Sequence, residues 1–397
     1  MHPLSSVALF LGFRLLRNLY FHMAVTVPFY MGCGLDMTRI LTLESAYYVA
    51  KVLSDVPTGL LADLAGRRLC LALSGFLAGF GYLTMGLGSS FGVFLVAEIL
   101  LGVAFSLASG ADSAAVYEAL AASGRERWYA RVEGAGWALR NCAAALAGAG
   151  GGLVAAAAGP GVTWFCTAGC VTAAGLLALG LPEPRTRPVA GHGGPVALLR
   201  QLAGFMRADR FAADAFLFFA AVYSVVRVGL FFLQPLLAGL GFGIAWNGMV
   251  YAGAVGLSIG FAALAATLFP TSRPGRGAAV FAAAAGLFFL AWGVGGAGLG
   301  AWSVVAGFAG VVLYSAMHGL YDPVLRGWVT PRLPAALRAT LLSSGAMMAN
   351  LLFAGIGPLA GWLTDRVGLS GAMLVLAVLH APALVLLPLR LRRHAPG

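Results

Sequence analysis

The sequence predicts an all-α membrane protein, with twelve transmembrane helices arranged as two six-helix bundles related by a pseudo-twofold axis. Three observations lead there. Of 397 residues, 60% are hydrophobic and 10% charged, with a mean hydropathy of +0.89, outside the range of water-soluble domains. Apolar runs of about 20 residues, the length that crosses a hydrocarbon core of roughly 30 Å, recur along the whole chain. The second half repeats the glycine and arginine pattern of the first.

The first six spans are expected near 15–34, 41–61, 69–87, 91–116, 132–158 and 162–181. Six more are expected near 211–239, 246–269, 277–294, 301–320, 339–363 and 371–389. The runs are continuous rather than alternating, so helices fit and barrel strands do not. The first run resembles a secretory signal only superficially. It is long, carries Arg14, Arg17 and His22, and ends in the bulky Tyr30 and Met31, so it is read as a membrane helix. Between the halves, Pro182 to Arg210 is the longest polar stretch, with Pro182, Pro184, Pro188 and Gly191 to Gly194 breaking regular structure. A short basic amphipathic piece, Val196 to Arg207, closes it. The chain is thus divided into an N-terminal bundle at 1–181, a cytoplasmic linker at 182–210 and a C-terminal bundle at 211–397.

A net charge of +11 raises the question of nucleic acid, but the basic residues sort by side of the membrane. With the N-terminus inside, eighteen of the 25 fall in inner connections and the tail, from Arg67 and Arg68 to Arg392 and Arg393, against Arg39 and Arg366 outside. This positive-inside bias puts both termini in the cytoplasm and makes the lipid bilayer, not nucleic acid, the partner of the charge. The five cysteines are scattered through apolar segments and read as small hydrophobes, with no metal site or disulfide implied.

The repeat is legible at nearly one offset. Gly66-Arg67 recurs at Gly275-Arg276, Gly110 at Gly319, and Gly148 and Gly152 at Gly357 and Gly361; Pro28 and Gly34 recur slightly earlier at Pro235 and Gly241. Like-oriented halves imply an axis along the membrane normal, a site between them near the midplane, and alternating access by rocking.

Between the second and third spans the chain reads Gly59-Leu-Leu-Ala-Asp63-Leu-Ala-Gly66-Arg67-Arg68. This resembles the signature loop of the major facilitator superfamily, G-x-x-x-D-x-x-G-R-[KR], and matches it fully. Asp55-Val-Pro57-Thr58 before it resembles the acidic-x-Pro-Thr-Gly variant of many bacterial members, and the stretch from Ser109-Gly110-Ala-Asp112 to Tyr117-Glu118 at the end of the fourth span resembles one in the same bacterial branch. The resemblance covers essentially the whole chain. It implies that Asp63 faces the start of the eleventh span while the arginines bond nearby carbonyls and acids, so that Gly59, Asp63, Gly66, Arg67 and Arg68 latch the cytoplasmic side. Ser272 replaces the acid in the second half, leaving one acidic latch. Drug/proton antiporters of the superfamily often carry Gly-Pro-x-x-Gly-Gly in the fifth span; here Gly148 to Gly152 lacks the proline, while Gly357-Pro358-x-x-Gly361 stands in the eleventh. Many members also place an arginine four residues before a glycine of the fourth span, where this chain has Glu98 before Gly102.

Charges at bilayer depth cost at least about 2.5–3.5 kcal/mol and need a partner, water or a role. Glu98 is the first candidate for carrying a proton. Asp112, 14 residues on, falls on the same helical face, and Asp55 completes the set; a plain salt bridge is the competing reading of Glu98. Glu44, Tyr48, Lys51 and Asp55 form one stripe of the second span, in which Lys51 and Asp55 alternatively just neutralise each other. Arg140 and Arg227, from opposite halves, suit an anionic group. Tyr223, Gln234, Tyr314, His318 and Asn350 offer hydrogen bonds around them, although each alone is as well a packing residue. Arg14, Asn18 and His22 form a weaker polar edge on the first span, where Arg14 is equally placed to snorkel to headgroups. Gly293-Val-Gly-Gly-Ala-Gly298 fits a dinucleotide pattern but no strand precedes it, and no P-loop, HExxH or nucleophile elbow occurs.

The expectation is a monomeric secondary transporter of the bacterial cytoplasmic membrane, without cofactor or enzymatic activity, exporting a small organic compound coupled to protons. An importer or uniporter of an anionic metabolite is the rival within transport. A non-transporting receptor or scaffold is the rival outside it.

Overall fold

The computed structural model describes residues 3–109, 111–122, 124–182 and 194–393. Most of the central linker, Gly110 and the last four residues therefore lie outside the described residues. In chain order the helices are α1 (Pro3–Arg17), α2 (Thr26–Gly32), α3 (Met37–Ala65), α4 (Arg67–Leu87), α5 (Phe91–Ala108), α6 (Ala111–Ala121), α7 (Tyr129–Ala158) and α8 (Pro160–Ala178). They continue as α9 (Pro195–Ala208), α10 (Arg210–Gly239), α11 (Ile244–Ala263), α12 (Ala265–Leu268), α13 (Pro274–Gly295), α14 (Ala301–Val329) and α15 (Arg338–Arg393). Among the described residues, nine helical stretches are long and apolar enough to cross a membrane. One of these, α15, is two spans fused across Gly368, whose φ of +71° interrupts the helix. The first span escapes that count because it is broken, and α3 because it carries charge.

That break is the main departure from the expected spans. Instead of one helix over 15–34, the first span starts at Pro3, stops at Arg17, passes through a 3₁₀ turn at Phe21–Ala24 and resumes at Thr26. Side chains satisfy the backbone groups the break exposes. The Asn18 amide donates to the Arg14 carbonyl at 2.7 Å, Thr26 Oγ1 to the His22 carbonyl at 3.0 Å, and the His22 N–H to Thr167 Oγ1 at 3.4 Å.

The chain divides into two compact units: Met1–Phe29 with Ala46–Pro195, and Tyr30–Ser45 with Val196–Gly397. In the first, small residues set the spacing of the helices. A Cβ on Gly75 of α4 would stand 2.5 Å from the Cα of Gly175 in α8, and one on Gly79 would meet Thr172, the close backbone packing by which membrane helices associate. Ser74 Oγ donates to the Ala104 carbonyl at 2.6 Å, tying α4 to α5. Gly102 seats α5 on the backbone of α3 at Tyr47.

The second unit is built round α10, which is 83% buried along its apolar window. Phe218, Phe219, Phe281, Phe288, Phe289 and Trp292 fill its core. Trp292 Nε1 donates to the Gly307 carbonyl at 3.1 Å, joining α13 to α14, and Gly319 of α14 abuts the Ser258 carbonyl of α11. The segment Tyr30–Ser45 is fastened to this unit. Asp365 caps the start of α3, accepting from the N–H groups of Met37 at 3.0 Å and Thr38 at 2.8 Å and from the Thr38 hydroxyl. Gly361 and Gly357 let α15 approach the Met37 carbonyl and Ser45. Large apolar side chains such as Leu87, Trp302 and Val378 are more than 70% exposed, a surface suited to lipid.

Candidate functional site

The turn that resembles the signature loop is built as its residues require. Gly66 takes φ +97°, open only to glycine, between α3 and α4. Arg67 reaches Glu118 of α6 with an ion pair of 2.8 Å. Asp63, half-exposed near the end of α3, makes no ion pair among the described residues, and a Cβ on Gly59 would meet nothing.

Lys51 and Asp55 do neutralise each other, at 3.0 Å, and Ser106 Oγ donates to the same carboxylate at 2.8 Å. Asp55 is thereby held between α3 and α5. Asp112 is placed differently from expectation. The helical face on which it follows Glu98 does not continue, because α5 ends at Ala108 and α6 starts anew at Ala111. Asp112 instead meets Arg14, which is the hub of a charged cluster. Arg14 donates to Asp112 at 3.2 Å, to Glu133 at 2.8 and 3.2 Å and to Ser113 at 2.9 Å, and lies over the Phe10 ring. Snorkelling is thus replaced by pairing. The sequence alone does not single out Glu133; its only signal there is a charge near the start of the fifth span.

Glu98 is 5% exposed on α5, one turn from the Gly102 seat, and its charge acts on the hydroxyl of Tyr82. His22, at the helix break, stacks on Trp164 with ring centroids 4.3 Å apart, and its Nδ1 is 3.1 Å from Thr167 Oγ1. Arg17 lies over Phe105 and acts on the side chain of Tyr20, as does the exposed Arg140 of α7.

In the second unit the expected residues gather more closely. The Tyr223 hydroxyl donates to Asn350 Oδ1 at 2.8 Å, joining α10 to α15. Tyr314 and His318 stack on α14, and His318 Nδ1 lies 3.2 Å from Ser258 Oγ. Arg227, half-buried, sits over Tyr223 and acts electrostatically on Tyr314 and on Glu44 at the start of α3. Gln234 is 2% exposed farther along α10. A buried pair, Ser224 with His380 at 2.9 Å, is not legible in sequence because the two are 156 residues apart. Among the described residues no three His, Cys, Asp or Glu side chains form a group able to hold a metal ion.

These polar and charged groups within otherwise apolar helices agree with what comparison shows. The family model for the Major Facilitator Superfamily matches residues 9–354. The chain belongs to the major facilitator superfamily. The solved structures that resemble it share the fold at low identity. The nucleoside transporter NupG has a TM-score of 0.77 at 14% identity, covering 96% of this chain and 98% of its own. The human organic anion transporter MFSD10 has 0.63 at 18%, covering 98% of this chain and 100% of its own. A bacterial homologue of the human lysosomal transporter Spinster, inward-facing and occupied, has 0.74 at 14%, covering 98% and 96%. No curated protein sequence matches. As a superfamily member the chain is a multi-pass membrane transporter of a small-molecule substrate.

Proposed function

We propose that this transporter exports a small organic compound across the cytoplasmic membrane by alternating access, driven by protons, with both termini in the cytoplasm. The supporting observation is Glu98, the one titratable side chain of α5, with 5% exposure, beside Tyr82. A carboxyl group buried at membrane depth is suited to take up and release a proton as water reaches it alternately from each side. Asp55 and Asp112 are weaker candidates, since they are less deeply buried, with 16% and 25% of their side chains exposed. Arg227 with Tyr223, Asn350, Tyr314 and His318 forms the polar face offered to substrate in the second unit, and the loop from Gly59 to Arg68 is the cytoplasmic latch.

The test is Glu98→Gln in proteoliposomes. The expected outcome is loss of transport driven by a pH gradient with substrate exchange retained; an unchanged pH-gradient dependence removes Glu98 from the role. Arg227 supports a second reading, import or uniport of an anionic metabolite, which predicts flux without substrate-induced proton movement.

A further inference from the structure

Two cations, Arg17 at the break in the first span and Arg140 on the facing α7, have no described acid within ion-pair distance to cancel their charge. Arg17 ends α1 about 21 Å along a helix begun at Pro3, and Arg140 lies about 16 Å along α7, so both stand at bilayer depth. The packing of α1 on α7 puts both on one stretch of the same helix interface. Gly136 of α7 abuts the Arg14 side chain, and Gly150 and Gly151 abut Phe21, so Arg140 is bracketed between contacts that lie on either side of Arg17 and Tyr20. Both guanidinium groups act on the Tyr20 side chain. Arg17 has aromatic neighbours, with Phe105 at 5.0 Å and Phe13 at 5.8 Å from its centre. Among the described residues neither arginine has a carboxylate within ion-pair distance, whereas Arg14, one turn before Arg17, has two.

Two like charges at membrane depth that act on one tyrosine are held there at a cost that an anion removes. We propose that the break in the first span binds the anionic group, carboxylate or phosphate, of the transported solute. Arg17 and Arg140 supply the charge, the Tyr20 hydroxyl donates a hydrogen bond, and the rings of Phe105 and Phe13 back the guanidinium of Arg17. The glycines of α7 have a matching purpose. They give the 3₁₀ turn its room, because a Cβ at Gly151 would fall on the Phe21 carbonyl oxygen. Discontinuous membrane helices are where transporters commonly expose backbone polarity to solute. This assignment rests on the transport reading but adds the charge of the substrate and the place where it is held.

Calorimetric titration of the full-length protein in lipid nanodiscs tests it without any flux. The probes are benzoate, inorganic phosphate and neutral benzamide. At least one anion is expected to bind more tightly than benzamide, and its Kd to rise about tenfold or more in Arg17→Gln and in Arg140→Gln. The lysine variants at both positions, which keep the charge, should bind within a few-fold of wild type, and Arg39→Gln should not differ. Benzoate against phosphate separates the two anion classes. The assignment is overturned if neither anion outbinds benzamide, or if both glutamine variants bind as wild type does. Binding as expected together with no counterflow in proteoliposomes would sink the transport reading and leave the anion site standing.

Discussion

At the scale of single residues, the first unit depends on which charges find partners. Arg14 satisfies Asp112, Glu133 and Ser113 together, with 12% of its own side chain exposed. Removing it strands two carboxylates that remain about one quarter exposed. A fully buried pair broken on one side costs about 3–5 kcal/mol, and partial hydration lowers that here to about 2 kcal/mol. Arg14→Met should therefore depress the thermal midpoint in detergent by several degrees, and Asp112→Asn, which leaves Arg14 its shorter contact to Glu133, by clearly less. Equal midpoints for wild type and Arg14→Met would show that the cluster is hydrated rather than structural. None of this is visible in sequence, where no acid precedes Asp36 and Arg14 has none near it to name. Its acids are 98 and 119 residues away, and only the packing of α1 against α6 and α7 joins them. Lys51 and Asp55 are legible because they are four residues apart on one helix.

Among elements, glycine separates packed from open helix faces, and that distinction is measurable. Gly151 of α7 has the Phe21 carbonyl where a Cβ would stand, while Gly169 of α8 has nothing within 4 Å. Gly151→Ala should destabilise by about 1–3 kcal/mol through overpacking of the helix break. Gly169→Ala should be neutral or gain up to about 1 kcal/mol of helix propensity. Chemical denaturation of both variants compares them, and similar stabilities would mean that α1 is not held against α7. The sequence shows the glycine run without showing what fills it. The break itself is hidden there, since Asn18 to Val25 contains neither proline nor glycine and is held by Thr167 and α7. The cap on α3 is a further case. Asp365 receives three hydrogen bonds from Met37 and Thr38, so Asp365→Ala should cost about 0.5–2 kcal/mol locally. Loosening of the turn before α3 should then raise the rate at which a maleimide labels Cys33, which is native to that turn. An unaltered labelling rate would show that the glycine contacts at Gly357 and Gly361 hold the segment alone.

For the molecule as a whole, most of the architecture is legible, because lipid enforces it with two simple rules: apolar length sets the spans, and arginine sets the sides. The observed limits of α4, α8, α10 and α13 fall within a few residues of those expected. What the rules do not contain is which side chains meet inside, since those contacts join distant segments. Nor do they reveal that Tyr30–Ser45 packs with the second unit while the rest of α3 packs with the first. The sidedness leads to a last prediction. The connection after α13, Gly296 to Gly300, holds no charge and turns through Gly298 and Gly300 at φ +70° and +61°, with open space around both. The connection before α13 holds Arg273, and α13 itself begins with Arg276 in its first turn. By the charge rule the first of these connections is outside and the second inside. Alkaline phosphatase inserted after Gly298 should be active, and inserted after Ser272 inactive, while green fluorescent protein fused to the C-terminus should fluoresce. The reverse pattern would turn the whole bundle over, placing the Gly59–Arg68 loop on the outer face, where a cytoplasmic latch has no meaning.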